Sequence, residues 1–172
     1  MAFSFRSKSF VTFAAILVAT LIAVTDQLIK NFIVAEFEMY EVRPFLGEVV
    51  KLTYILNESA AFSLGFGLTG LFTLISSVAT LALIWFIAFK SKSTAWSIIA
   101  AVMLGGVVGN LLDRLFRSPG AGLGKVVDYI QIPFNFPIFN LADIAIVSMA
   151  ILSALLVLLG HDVGRPRKAK DD

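Results

Sequence analysis

Four stretches of the chain are long, apolar and almost free of charge. They are Phe10–Ile29, Leu68–Phe89, Ala95–Phe116 and Leu141–Leu159. Each is long enough to cross the hydrocarbon core of a membrane, which takes roughly 20 apolar residues. Because lipid cannot hydrogen-bond a free backbone amide, each stretch is predicted to be helical. The pattern therefore predicts an all-α polytopic membrane protein with four transmembrane helices.

The first loop between these helices, residues 30–67, contains a segment of a different character. Glu48–Leu56 is rich in β-branched and aromatic residues, and Pro44 and Gly47 come shortly before it. This pattern is typical of a strand that begins after a turn. A small β-rich subdomain is therefore predicted in this loop, at residues 40–57.

Basic residues are concentrated at both ends of the chain and in the short link between the second and third helices. They are Arg6, Lys8, Lys90, Lys92, Arg165, Arg167, Lys168 and Lys170. The other two loops, 30–67 and 117–140, hold fewer basic residues, which are diluted by glutamates. Since lysine and arginine favour the cytoplasmic side, both termini and the link are predicted to be cytoplasmic. The two loops, with the β-rich subdomain, are then extracytoplasmic.

A single membrane-embedded domain is predicted over residues 1–164, followed by a basic cytoplasmic tail at 165–172. A cleaved signal peptide is the alternative for residues 1–25, because a basic start precedes an apolar run. That run is longer than the apolar region of a usual signal peptide. It also ends in Thr25-Asp26-Gln27, which has no small-residue cleavage pattern. An uncleaved first helix is therefore expected.

The residue inventory excludes several kinds of chemistry. The chain has 172 residues, of which 58% are hydrophobic and 15% charged, with no cysteine and a single histidine, His161. Disulfides, thiolate nucleophiles and thiolate metal sites are therefore excluded. The H-E-x-x-H motif of zinc peptidases is absent. His161 follows the fourth helix, at the predicted cytoplasmic end, which disfavours a Ser-His-Asp triad with the outer acids. No metal and no cofactor are predicted.

Four aspartates lie in or beside the predicted helices: Asp26, Asp113, Asp128 and Asp143. With the predicted topology, all four fall at one depth, the outer boundary between membrane and water. An ionisable group within a spanning segment costs roughly 2.5–3.5 kcal/mol on insertion scales, so each one calls for a reason.

Two of these aspartates have a local structural explanation. Asp26 and Lys30 have the i, i+4 spacing of an intrahelical ion pair. Asp143 follows Asn140 by three residues, which is close to a capping box at the start of a helix. Asp128 lies in an apolar, strand-like run without an evident cap or partner, and it is the hardest of the four to explain as scaffold.

Asp113 has polar neighbours on both sides in the third helix. Asn110 comes three residues before it, and Arg114 and Arg117 come after it. These side chains could form a polar cluster that orients the end of the helix. A structural and a functional role both remain open for Asp113.

Several functions are compatible with acids at this depth. A pair of aspartates that shares one proton can hydrolyse a peptide bond without histidine, cysteine or metal. A Ser-Lys dyad is conceivable with Lys30 and Ser59 or Ser63. A transporter could use the same acids as a proton or cation site, although neither repeated halves nor broken helices are evident in the sequence.

Five segments carry recognisable motifs in the same order along the chain. They are Asp26–Lys30 (D-Q-x-x-K), Asn57–Phe62 (N-E-S-A-A-F), Gly105–Arg114 (G-G-x-x-G-N-x-x-D-R), Val126–Ile130 (V-V-D-Y-I) and Phe139–Asp143 (F-N-x-A-D). In these segments the sequence resembles the bacterial lipoprotein signal peptidase (signal peptidase II) family. It departs from that family at Glu58-Ser59, which replaces Thr-Gly. A second departure is an apparent insertion at residues 118–123.

The resemblance implies a role for each polar residue in the motifs. The catalytic pair would be Asp128 and Asp143. Asn57, Asn110, Arg114 and Asn140 would be substrate-binding residues. Asp26, Lys30 and Asp113 would be structural polar residues.

The resemblance also implies a substrate and a location. The protein would be an aspartic endopeptidase of the bacterial cytoplasmic (inner) membrane, with its active site at the extracytoplasmic face. Its substrate would be a membrane-anchored prolipoprotein whose cysteine carries diacylglycerol, cut just before that cysteine. Membrane lipids would be partners, cyclic peptides of the globomycin type would inhibit it, and neither a cofactor nor nucleic acid would be involved.

Overall fold

The structure is a computed structural model, and it describes residues 8–58 and 69–166. In these residues four helices are long and apolar enough to cross a membrane. They are α1 (Lys8–Glu36), α2 (Thr69–Trp85), α3 (Thr94–Phe116) and α4 (Leu141–Leu158), and a π-helical turn at Phe86–Lys90 continues α2. The prediction of four apolar helices is confirmed. The candidate nucleophiles Ser59 and Ser63, and most of the basic tail, lie outside the described residues.

Helix α1 is longer than predicted, since it continues seven residues past Ile29 to Glu36. The predicted apolar stretch ended at Ile29, just before the charge of Lys30. In the structure Lys30 is completely buried, and its charge is balanced by Asp26 and Asp113. The helix can therefore pass through this charged position and continue.

Helix α3 lies at the centre of the bundle and contacts α1, α2 and α4. Two of its glycines allow this close approach. A Cβ at Gly105 would lie 2.7 Å from the carbonyl oxygen of Ala19 in α1, and one at Gly106 would lie 2.5 Å from that of Ala142 in α4. These glycines serve helix packing, as small residues commonly do between helices in a membrane.

The strands form one antiparallel sheet in the order β1 (Val42–Leu46), β2 (Val50–Asn57) and β3 (Val126–Gln131). The first two strands confirm the predicted β-rich segment. The prediction confined this segment to the first loop, which is wrong, because β3 comes from the loop after α3. A two-stranded hairpin is only marginally stable by itself, and β3 supplies the second neighbour of β2.

The sheet packs against the C-terminal end of α1. Ile33 of α1 and Phe37, which directly follows α1, form a buried apolar cluster with Val127 and Tyr129 of β3. The backbone N–H of Val127 also donates to Asp113 Oδ2 of α3, at 3.2 Å. These contacts hold β3 across the ends of α1 and α3, beside the start of α4.

Candidate active site

Asp128 and Asp143 both accept hydrogen bonds from one residue, Asn140. Asn140 Nδ2 donates to Asp128 Oδ1 at 2.7 Å, and Asn140 also donates its backbone N–H to Asp143 Oδ2 at 3.1 Å. Asn140 is completely buried and Asp128 is nearly so. The two acids that the resemblance implied as the catalytic pair therefore lie on either side of a common buried donor.

The first turn of α4 orients Asp143. Asn140 Oδ1 accepts from the backbone N–H of Asp143 at 3.0 Å, which completes the capping box that the spacing predicted. Asn110 Nδ2, from α3, donates to the other carboxylate oxygen of Asp143 at 2.8 Å. The cap thus fixes the carboxylate in place and confirms the local structural explanation of Asp143.

Asp128 is oriented by the strands. Asn57, the last residue of β2, donates from Nδ2 to Asp128 Oδ2 at 2.8 Å. Burial, and next the negative charge of Asp143, raise the pKa of the Asp128 carboxyl from 3.8 to about 7. The hydrogen bonds from Asn57 and Asn140 oppose this rise but are smaller effects. Near neutral pH this site can therefore hold a proton that an ordinary aspartate would have lost.

Lys30 connects the ion pairs of the bundle to this pair of acids. Its Nζ lies 2.8 Å from Asp26 Oδ2, 2.8 Å from Asp113 Oδ2 and 2.8 Å from Asn110 Oδ1. The predicted pair of Asp26 with Lys30 is confirmed, but the contacts with Asp113 and Asn110 were not predicted. The ammonium group of Lys30 is therefore held between two carboxylates and an amide oxygen of the bundle.

The orientation of the Asn110 amide follows from these contacts. Its oxygen accepts from Lys30 and, at 3.2 Å, from Asn140 Nδ2. Its nitrogen is therefore directed at Asp143. A continuous chain of polar contacts runs from the buried ion pairs to the candidate catalytic carboxylate.

Asp113 does lie in a polar cluster, but the arginine that pairs with it is Arg117. Arg117 Nε lies 2.6 Å from Asp113 Oδ1, and Gln27 Nε2 donates to the same oxygen at 3.0 Å. Arg114 instead donates to the backbone oxygen of Asn110 at 3.4 Å, and its guanidinium lies 6.0 Å from the centre of the Phe72 ring. Its charge is attracted by Asp143, Asp113 and Asp128, and its side chain is buried beside these acids.

Sequence reasoning left the contributions of Gln27, Arg117 and Tyr129 unassigned. Gln27 also donates to the Gly109 carbonyl at 3.0 Å, and the Tyr129 hydroxyl accepts from the backbone N–H of Leu141 at 3.2 Å. Two of them had a local signal, since Gln27 lies inside the D-Q-x-x-K motif and Arg117 follows Asp113 by four residues. The contact of Tyr129 depends on β3 and α4 meeting in the fold and has no local signal.

The loop after α3 is tied to the bundle at its second half. Thr73 Oγ1 of α2 donates to the Gly122 carbonyl at 2.5 Å, and the N–H of Gly124 donates to the Arg114 carbonyl at 2.9 Å. By contrast, a Cβ at Gly120 would meet nothing within 4 Å. Gly120 is instead bonded within the loop, where its N–H donates to the Arg117 carbonyl at 2.7 Å and its carbonyl accepts from the Leu123 N–H at 2.9 Å.

We predict that deleting Gly120 and Ala121 leaves the protein folded and active, whereas Arg117→Ala destabilises it. The substitution removes the arginine from a buried carboxylate, and the expected cost is about 1–3 kcal/mol. Thermal unfolding of the purified variants measures both effects. Arg165→Ala is the matched control, because the Arg165–Asp162 pair is exposed and its loss should leave stability nearly unchanged. A deletion as damaging as Arg117→Ala would show that the loop tip belongs to the site.

Comparisons with known proteins point to one family. The family model for signal peptidase (SPase) II matches residues 18–159. A lipoprotein signal peptidase of Leifsonia xyli subsp. xyli is 42% identical over 157 residues, which cover 90% of this chain and 72% of that protein. One of Rhodococcus jostii is 36% identical over 151 residues, covering 88% of this chain and 75% of that protein.

A solved structure of a bacterial membrane enzyme has the same fold. It superimposes with a TM-score of 0.78 at 24% sequence identity, covering 91% of this chain and 94% of that one. The arrangement of four helices and a small sheet is therefore shared with a membrane enzyme.

Proposed function

The chain belongs to the signal peptidase II family, and we propose that it is an aspartic endopeptidase that cuts diacylglyceryl-modified prolipoproteins just before the lipidated cysteine. Membership of this family and four apolar helices make it a multi-pass bacterial membrane protease that acts on lipoprotein precursors. The observation that carries the finer proposal is the bridging of Asp128 and Asp143 by Asn140.

The proposed reaction uses the two acids as a pair with one shared proton. Asp143, ionised, takes a proton from a water molecule, and the water oxygen attacks the scissile carbonyl carbon. Asp128, protonated, gives its proton to the carbonyl oxygen. On collapse of the tetrahedral intermediate, the C–N bond breaks, the amine of the cysteine takes the proton held by Asp143, and Asp128 recovers its own.

The raised pKa of Asp128 supports this division of roles, because it keeps a proton on Asp128 near neutral pH. The titration steps belong to the pair rather than to either residue alone. Asp143 accepts hydrogen bonds from Asn110 and from the Asn140 backbone, which orient its carboxylate for the attacking water. Asn57, Asn110, Arg114 and Asn140 are the residues proposed to position the substrate.

The test of the function is cleavage of a defined substrate. Purified protein in lipid nanodiscs is incubated with a prolipoprotein carrying diacylglycerol on its cysteine, and the product masses are measured. We expect a mass loss equal to the signal peptide, with none for the same precursor before lipidation and none in the presence of globomycin. Cleavage of both precursors, or at another bond, would contradict the proposed specificity.

We propose that the protein lies in the inner membrane with both termini in the cytoplasm and the acids at the extracytoplasmic face. The asymmetry of lysine and arginine supports this orientation. The chain has no cysteine, so single cysteines report the topology directly. In intact cells, Glu38→Cys should react with a membrane-impermeant thiol reagent and Lys92→Cys should react only after permeabilisation. The opposite result would reverse the orientation.

A further inference from the structure

Five apolar side chains are exposed together at one end of the sheet. They are Phe45, Leu46, Val49, Phe134 and Phe136, which we call the apolar tip. Leu46 pairs with Val50, and Lys51 pairs with Gln131. The turn after β1 and the loop after β3 therefore leave the sheet at the same end, which brings the five side chains into one region.

The loop after β3 holds its aromatic residues outward in a defined shape. Phe134 is 100% exposed and has a φ of 69°, in the left-handed region that bulky residues rarely adopt. Pro133 and Pro137 restrict the backbone on either side. The Phe136 ring packs edge-on against Phe139, 5.7 Å between ring centres. An unfavourable backbone conformation is thus maintained around a side chain that contacts no protein core.

The charge at the apolar tip is balanced. Glu48 lies in the turn between β1 and β2, and its Oε2 is 2.6 Å from the Nζ of Lys51. A neutral pair of charges at the margin of an apolar surface is far less unfavourable near lipid than a single carboxylate. The tip therefore combines exposed aromatic and aliphatic groups with no net charge from this pair.

The helices place the sheet near the bilayer surface. Helix α1 has 29 residues and is about 43 Å long, which exceeds a hydrocarbon core of about 30 Å. Its last turns therefore reach the headgroup region, and β1 begins only six residues after α1 ends. Helix α4 begins seven residues after Phe134. Both connections are too short to carry the sheet far from the bilayer.

The lipid-facing surface of α1 continues towards the sheet. Leu28 and Phe32, in the second half of α1, are exposed apolar residues on a helix that spans the membrane. Met39 and Tyr40, between α1 and β1, are exposed as well. Exposed apolar side chains thus continue from α1 as far as the start of β1, and β1 then leads to Phe45 and Leu46 at the apolar tip.

We propose that the apolar tip inserts into the boundary between headgroups and acyl chains, in the leaflet next to Asp128 and Asp143. Aromatic and aliphatic side chains on a polar framework partition into this zone. The insertion anchors the sheet, which carries Asp128, at the level of the bilayer surface. Insertion of the apolar tip requires only that the chain spans a membrane, so its test does not depend on the proposed peptidase reaction.

The test uses single cysteines carrying a nitroxide spin label, in phospholipid nanodiscs without substrate. Labels at Leu46→Cys and Phe134→Cys report on the tip, with Ile151→Cys in α4 as the lipid reference and Lys92→Cys as the water reference. Collisions with oxygen, which concentrates in lipid, are compared with collisions with a water-soluble nickel chelate. We expect oxygen collisions to dominate at both tip positions, as at Ile151.

A second substitution keeps the test decisive. Phe134→Ser in the Leu46→Cys background should shift the label towards the water reference, while thermal unfolding shows that the protein remains folded. Dominant nickel collisions at both tip positions would overturn the proposal. Dipolar broadening between labels on two copies would also overturn it, since the tip would then be an interface between protein molecules.

Discussion

Asp128→Asn and Asp143→Asn are each expected to lower the cleavage rate by at least roughly a thousandfold while the protein remains folded. Asparagine keeps the shape of the side chain and can still accept a hydrogen bond, but it cannot take or release the proton that the reaction moves. Binding of globomycin should be affected less than turnover, because neighbouring residues such as Asn57 and Arg114 supply other contacts. Single-turnover cleavage of a lipidated prolipoprotein measures the rate.

Asp162→Asn is the matched control for this experiment. Its carboxylate is 56% exposed and lies beyond the end of α4, so the rate should not change. Near-normal cleavage by a folded Asp128→Asn or Asp143→Asn protein would contradict the aspartic mechanism. In that case the mass assay for signal-peptide removal would still show whether the protein cuts its substrate by another route.

The dependence of stability on pH gives a second, independent measurement of the same pair. The pKa of Asp128 is raised in the folded protein from 3.8 to about 7. Between these values the unfolded chain has lost the proton and the folded protein still holds it, so stability falls as pH rises. The total fall is up to about 4 kcal/mol, complete above pH 7 and absent below the unfolded pKa.

Asp128→Asn should remove this fall, so the variant should gain stability relative to the unsubstituted protein as pH is raised from 4 to 8. Asp143→Asn should reduce the fall, because it removes the negative charge that is the second cause of the raised pKa. Thermal unfolding of the three proteins across this range measures the effect. Parallel curves for all three would show that Asp128 titrates normally in the folded protein.

Lys30→Met is expected to destabilise the protein by about 3–5 kcal/mol. The substitution removes the ammonium group from Asp26 and Asp113, all three of which are completely buried. Removing one partner of a buried ion pair leaves an uncompensated charge, which costs more than the pair itself contributed. The shift in thermal unfolding temperature measures the loss.

Two further variants distinguish a specific effect from general damage. Lys125→Met, which removes the cation of the exposed pair with Glu58, should leave stability nearly unchanged. Asp26→Asn combined with Lys30→Met should recover part of the stability, because Asp113 is still paired with Arg117. If the double variant is no more stable than Lys30→Met, the uncompensated charge of Asp26 does not account for the loss.

The same variants test whether Lys30 positions the acids. Lys30 and Asn140 both donate to the Asn110 side-chain oxygen, which directs that oxygen away from Asp143. Without Lys30 the amide can rotate, and the cleavage rate per folded molecule should fall more than the affinity for globomycin. An unchanged rate in the stabilised double variant would leave Lys30 a purely structural residue.

The sequence by itself determined the helices and the local features of the site. Hydropathy over a span depends only on composition and length, so four apolar stretches of about 20 residues were enough to predict α1 to α4. The i, i+4 pair of Asp26 with Lys30 and the capping box of Asn140 with Asp143 depend on helix geometry alone, and the structure contains both. The family motifs, taken together, identified the signal peptidase II family.

The tertiary structure alone decided which polar groups meet across helices and strands. The contacts of Lys30 with Asp113 and Asn110 join residues 80 or more positions apart, and no local pattern encodes such a distance. By contrast, the choice of Arg117 over Arg114 as the partner of Asp113 follows the i, i+4 spacing of helix geometry, which is local.

The sheet is a further case of the same kind. Val126–Gln131 has the composition of a strand, but its pairing with β2 depends on α1 and α3 bringing two distant loops to one place. That pairing places Asp128 beside Asn57, and the bridge through Asn140 then places it near Asp143. The family resemblance pointed to Asp128 and Asp143 from the sequence, and the packing of four helices against three strands places both of them in contact with Asn140. The physical reason is that hydropathy and capping depend on residues close together in the sequence. The partners of a buried carboxylate depend on which distant segments pack against it.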